Sequence, residues 1–192
     1  MPAQGRLSIA LALSCLLLCG PARAEETRAP VPGFLAQVEG APAAPELRLE
    51  TLDGPPADLS AGAEPGSRAV VVHFFATWCE PCRTELPALA RFAVRRQDVR
   101  VLLVDVAEPE ERIRRFFAGS AAPGPILVDR DRAAARRWGV SLLPATFVVA
   151  GARLHLAHEG EVDWDAAATD AAISAVAGPA GLTIKSQGGL SR

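Results

Sequence analysis

Apolar positions along this chain fall into short continuous runs separated by stretches with helical spacing. Ala69 to Phe75 is apolar except for His73, and Val99 to Val106 is a second such run. Sustained apolarity of this kind marks strands covered on both faces. Ile126-Leu127-Val128 and Thr146 to Val149 read as a third and a fourth strand, and Gly151 turns the chain into a last antiparallel strand around Leu154 to His158. Helices are predicted between them. One begins near Cys79. A second spans Glu108 to Ala118, where Glu108-Pro109-Glu110-Glu111 precedes Arg112, Arg114 and Arg115 in the order the helix dipole favours; this charge run reads as a solvated face. A short helix capped by Asp129 or Asp131 ends at Trp138-Gly139, and Asp165 to Val176 closes the series. Strands alternating with helices predict an α/β fold, a three-layer α/β/α arrangement. Ahead of it, Leu47-Arg48-Leu49-Glu50 alternates with period two and Asp53-Gly54 follows, so an N-terminal β-hairpin is expected. Gly62 to Ser67 reads as a loop.

The ends of the chain do not share this pattern. Arg6, the Leu-rich uncharged stretch Leu7 to Cys19 and the small-x-small sequence Ala22-Arg23-Ala24 read as an export signal over residues 1–24, cleaved before Glu25. The stretch is shorter than the ~20 residues of a transmembrane helix, so retention as a membrane anchor is the weaker alternative, as is acylation at Cys15 or Cys19. Residues 25–44 are rich in Pro, Ala and Gly without sustained periodicity and are expected to be a flexible leader. Residues 178–192 are expected to be a disordered tail, which leaves a single domain over 45–177.

Composition narrows the function. Twenty Lys and Arg against 22 Asp and Glu give a formal charge of −2, and removing residues 1–24 takes Arg6 and Arg23 with it and brings the charge to −4. Such a balance gives no basic face for phosphates, so a nucleic-acid partner is not expected. Removal of the signal also takes Cys15 and Cys19 away, leaving Cys79 and Cys82. A bridge across so short a loop constrains little of the unfolded chain, so the pair is read for chemistry and not as a structural staple.

Trp78-Cys79-Glu80-Pro81-Cys82 lies where the first long strand gives way to a helix. A sulfur at a helix N-terminus meets unsatisfied N–H groups and the positive dipole end, which favour thiolate and make Cys79 the attacking group. Cys82, three residues on, can close a small disulfide ring with it. Pro81 suits the first turn, where a missing N–H costs nothing. Reversible dithiol–disulfide exchange is implied. A structural zinc site would need two more ligands; only His73, His155 and His158 remain, and the last two point to opposite faces of a strand, so no metal is expected. A lone-cysteine peroxidase would not require Cys82.

With these residues in view, the chain resembles the TlpA/ResA-like family of exported thioredoxin-fold thiol-disulfide oxidoreductases, from about Pro45 to Val176. The run Phe75-Ala76-Thr77-Trp78-Cys79-Glu80-Pro81-Cys82-Arg83 is similar to the family's active-site segment, and Glu80-Pro81 to the dipeptide of the ResA-like branch. Pro87 resembles the helix-kinking proline of thioredoxins, and Trp138-Gly139-Val140 with Leu143-Pro144-Ala145-Thr146-Phe147 the segment whose proline is cis. The helix at Glu108 to Ala118 and its following strand resemble the TlpA-type insertion. The resemblance implies a thioredoxin fold with a central mixed sheet, Pro144 packed beside the sulfurs, the Leu143 backbone pairing with an extended substrate, and Trp78 shielding one edge of the site.

Two positions are expected to modulate the exchange. His73, six residues before Cys79, stands where thioredoxins carry a buried acid and TlpA-like proteins often an amide; it either relays a proton to and from Cys82 or is a hydrogen-bonded core histidine. Glu80 places a carboxylate between the cysteines, which opposes thiolate formation and makes the pair more reducing. The resemblance further implies a periplasmic reductase with no cofactor beyond the Cys79–Cys82 disulfide. It would be recharged by a membrane electron donor of the DsbD/CcdA type and act on client protein disulfides in cytochrome c biogenesis or oxidase metal-site assembly. The competing classes are a disulfide-forming oxidase and a non-catalytic binding or chaperone module.

Overall fold

Successive side chains of a strand point to opposite faces, and in strand β4 (Ala69–Phe75) this divides the molecule into layers. Val71 and Phe75 join Leu86, Leu89 and Phe92 of helix α1 (Glu80–Arg95), Ile113 of α2 (Glu110–Phe117) and Ile173 of α4 (Ala167–Ala177) in one core. Val70, Val72 and Phe74 join Leu47, Trp138 and the alanines Ala134 and Ala135 of α3 (Ala133–Arg137) in another. Helices therefore cover both faces of the sheet. His73 lies between Val71 and Phe75 in the alternation, which turns it toward α1. The computed structural model describes residues 33–59 and 67–178. The expected signal at 1–24, the first part of the leader, most of the Gly62 to Ser67 loop and the tail beyond Gly178 lie outside them.

The sheet is mixed, with strand order β1 (Ala36–Gln37), β8 (Arg153–Glu159), β7 (Ala145–Ala150), β4, β5 (Val99–Val106), β6 (Ile126–Asp129). Strands β4, β5 and β6 run parallel through the crossovers α1 and α2, while β7 runs antiparallel to β4 and β8 antiparallel to β7. Phe75 pairs with Asp105 and Phe74 with Ala145, so the ends of β4 and β5 and the start of β7 open on one side of the sheet. Three loops meet there: the one leading to Cys79, the one through Glu108, and the one ending at Pro144. Both candidate caps act on α3, since Asp129 accepts from the N–H groups of Ala134 and Ala135 and Asp131 from that of Ala133. Among the described residues, no helix is long and apolar enough to cross a membrane.

Two expectations are corrected. The leader does not run free to Ala44: from Gly33 onward it is tied to the sheet. Strand β1 pairs with β8, the Gly33 N–H donates to the Glu161 carbonyl at 2.7 Å, and the Leu154 N–H donates to the Pro42 carbonyl at 2.8 Å. Leu35 is buried. The reason is the margin of β8, whose N–H and C=O groups need partners, and a two-residue strand carries no periodicity by which to be read. A Cβ at Gly33 would fall 2.1 Å from the His158 ring, which would have to shift to admit it. The hairpin is also wider than a tight Asp53-Gly54 turn. Its strands β2 (Arg48–Leu49) and β3 (Ala57–Asp58) pair, but between them the chain detours to the outer margin of β6, where Val128 N–H donates to Glu50 and Leu52 N–H to Ile126.

Candidate active site

Cys79 is the N-cap of α1, with extended backbone (φ −78, ψ 110), and its Sγ accepts a hydrogen bond from the Cys82 N–H at 3.3 Å. Pro81 occupies the first turn, so the helix gives up no interior hydrogen bond to it. The two cysteines form a disulfide with Cα atoms 5.3 Å apart. Both are buried, whereas Trp78 beside them is 64% exposed. On opening of the bridge, the same Cys82 N–H and the dipole of a 16-residue helix favour a thiolate at Cys79. Glu80 projects outward at the head of the helix, its carboxylate 3.2 Å from the Arg83 guanidinium; this cation offsets part of the repulsion expected between Glu80 and a thiolate.

One turn along α1 from Cys82 lies a residue that the sequence reading missed. Glu85 follows Cys82 by three positions and shares its buried face of α1. Its Oε1 accepts from the Trp164 indole N–H at 2.5 Å, and its Oε2 has no partner among the described residues. Burial pushes its pKa up to about 8, against the Trp164 and Val162 hydrogen bonds that pull the other way. His73 is fully buried, with Nδ1 3.0 Å from Thr146 Oγ1 and 3.9 Å from Glu85 Oε1. Burial pushes His73 down from 6.5 to about 3, away from the neutral range that a proton relay would use. It is neutral at physiological pH, and Glu85 is the group that changes protonation there. An acid on an apolar stripe that continues through Leu86, Leu89 and Phe92 was the signal that could have shown Glu85.

A second pair of buried acids holds the turn that leads into the site. Glu108 precedes α2 and is buried, contrary to its reading as part of a solvated helix. Its carboxylate accepts from both the Thr77 N–H, at 2.5 Å, and the Thr77 hydroxyl, at 2.8 Å. Asp105 accepts from the Glu108 N–H at 3.2 Å, and burial, followed by its contact with the Glu108 side chain, pushes its pKa up to about 8. The inserted helix is thereby fastened to the turn two residues from Cys79.

The third loop carries Leu143 and Pro144, joined by a cis peptide. Leu142 is 57% exposed, and Leu143 forms no hydrogen bond with another described residue, whereas the Pro144 carbonyl accepts from the Gly160 N–H at 2.7 Å. Among the described residues, no group of three or more His, Cys, Asp or Glu side chains could hold a metal ion.

A profile of the AhpC/TSA family matches residues 41–153, more than half of the sequence. The chain belongs to the AhpC/TSA family. Within it, the similarity runs to the ResA-like branch. The chain is 31% identical over 108 residues to the thiol-disulfide oxidoreductase ResA of Geobacillus thermodenitrificans, covering 55% of this chain and 60% of that protein. It is 32% identical over 110 residues to the thiol:disulfide interchange protein HelX of Rhodobacter capsulatus, covering 57% and 61%. The match thus spans about 60% of the length of these relatives. Among solved structures, a thiol:disulfide interchange protein of the thioredoxin family from Chlorobium tepidum superposes with a TM-score of 0.59 at 22% identity, covering 72% of this chain and 97% of that one. The AhpC/TSA-family chain therefore has the thioredoxin fold, and its likeness to the TlpA/ResA-like proteins stands on more than the Cys-Glu-Pro-Cys run.

Proposed function

We propose that this protein is an exported thiol-disulfide oxidoreductase that reduces disulfides of client proteins. The observation that carries the reading is the placement of Cys79 at the N-cap of α1, with Cys82 one turn on and in disulfide contact with it. In the forward reaction the Cys79 thiolate attacks one sulfur of a client disulfide; the other client sulfur leaves as thiolate and takes a proton. Cys82 then gives up its proton and attacks Cys79 Sγ, closing the protein's own disulfide and releasing the second client sulfur as a thiol. The ionised form of Glu85, one turn along α1 from Cys82, receives the Cys82 proton, because a carboxyl held at about 8 is matched to a thiol near ~8.5. His73 acts through Glu85, 3.9 Å away, as a neutral neighbour.

Around this centre Trp78 and Leu142 offer apolar contact to a client, and Leu143 offers its free backbone beside Pro144 in the manner of strand addition. Glu80, by opposing the Cys79 thiolate, destabilises the reduced form and makes the pair a stronger reductant. No cofactor beyond the Cys79–Cys82 pair is needed. The sequence features of residues 1–24 and the likeness to ResA support a periplasmic location. There a reducing dithiol requires recharging by a membrane donor of the DsbD/CcdA type, and the cysteines of cytochrome c maturation or oxidase metal-site assembly are the clients this chemistry fits. Insulin reduction by wild type and by Cys79→Ser, together with a redox titration, tests the reading. Turnover that vanishes in Cys79→Ser is expected. A potential as oxidising as about −120 mV would reverse the direction, and an inert wild type that still binds clients would make it a binding module.

A further inference from the structure

The loop that ends in Pro144 is fixed from both sides, and on one side Ser141 and Leu142 are held by a single exposed carboxylate. Glu159, the last residue of β8, lies opposite Ala145 in the β7–β8 ladder. Its Oε1 accepts from the Ser141 N–H at 2.6 Å and from the Leu142 N–H at 3.2 Å, and its Oε2 accepts from the Ser141 hydroxyl at 2.7 Å. Beyond Leu143, the Gly160 N–H holds the Pro144 carbonyl, and the ladder continues from Ala145. Leu143 is therefore an unpaired residue between two anchored points. Without Glu159, the N–H groups of Ser141 and Leu142 would have no partner within the described chain, and nothing would hold these residues between the Val140 N–H, which donates to the Ala135 carbonyl at 2.9 Å, and the Pro144 carbonyl.

We infer that Glu159 is a positioning residue for client binding: it holds Ser141 and Leu142 so that the backbone of Leu143 is presented, already ordered, to an incoming client strand. This rests on the reading of the protein as a reductase of protein disulfides and deepens it. A strand docking on one residue gains few hydrogen bonds, so the cost of ordering the loop at the moment of binding weighs heavily, and a loop ordered beforehand avoids it. Glu159 touches neither sulfur nor client. Its effect should therefore be confined to recognition and leave the electron transfer between Cys79 and Cys82 unaltered.

The test compares two substrates. Insulin presents a chain segment to Leu143; 5,5′-dithiobis(2-nitrobenzoate) presents a disulfide with no peptide backbone. In Glu159→Ala, the KM for insulin is expected to rise about five- to tenfold with kcat changed less than twofold. The rate with the small disulfide and the reduction potential are expected to stay as in wild type. Glu159→Gln, whose amide can accept from both N–H groups and donate to the Ser141 hydroxyl, should recover most of the loss, and Ser141→Ala, which removes one bond and leaves the fold intact, should fall between. An unchanged KM in Glu159→Ala, or an equal loss with both substrates, overturns the inference while leaving the reductase reading in place. Wild type inert toward both disulfides overturns that reading and this inference with it.

Discussion

With burial holding the Glu85 carboxyl near the pKa of a thiol, replacing Glu85 by Gln is expected to slow disulfide exchange by about 10²-fold at pH 7 and to remove an inflection near pH 8 from the pH–rate profile. Stopped-flow measurement of insulin or small-disulfide reduction across pH 6 to 9 would show both; a profile unchanged from wild type would remove Glu85 from the proton path. The contrast between Glu85 and the cysteines shows what local sequence can convey. Cys79, Pro81, Cys82 and Pro144 are legible because their chemistry depends on spacing along one turn or one loop. His73 was legible in position, as a break in an apolar run, but not in protonation, which is set by what packs around it. Glu85 was hidden among Arg83, Thr84 and Glu80, polar neighbours that all face water. Only the turn of the helix distinguishes it, and Trp164, 79 positions away in sequence, completes its environment.

The joint between the inserted segment and the catalytic turn depends on Glu108. Its replacement by Ala leaves the Thr77 N–H and hydroxyl buried without their acceptor, a loss of about 2–4 kcal/mol. Urea unfolding should register this as a lower midpoint at constant slope, and thiol exchange should slow as Trp78 and Cys79 lose their seating. The strands β4 to β7 and the four helices were readable from apolar runs and caps because each is long enough to show a period. The margin of Glu108 was not, since a helix that begins two residues later than its charge pattern suggests turns an exposed acid into a buried one.

Strand β1 implies that a chain beginning at Pro45 is less stable than one beginning at Gly33, by about 2–4 kcal/mol, through the loss of Leu35 burial and of the hydrogen bonds to β8 and its neighbours. Paired thermal melts of the two lengths would decide where the domain starts. Stability should also follow pH in a defined way. His73, down from 6.5 to about 3, leaves the folded chain one proton poorer than the unfolded chain between those values, and Glu85, up from 4.5 to about 8, leaves it one proton richer. Asp105, up from 3.8 to about 8, adds a second extra proton to the folded chain. From pH 4.5 to 6.5 the His73 deficit cancels one of the two and from 6.5 to 8 both remain, so stability falls as pH rises from 4.5 to 8, more steeply above 6.5; below 3.8 the His73 deficit is no longer offset and stability falls as pH falls. Relative to Glu85→Gln, wild type should lose up to about 1.4 kcal/mol per pH unit between 6.5 and 8, read from denaturant midpoints at each pH.

The outer side of β8 is occupied by the segment from Gly33 to Ala44, which contains the two-residue edge strand β1, and that of β6 by Glu50 to Leu52. Stacking of one molecule on another through long strands is thereby discouraged. For the client strand proposed above, what remains on offer is a foothold one amino acid wide, at Leu143.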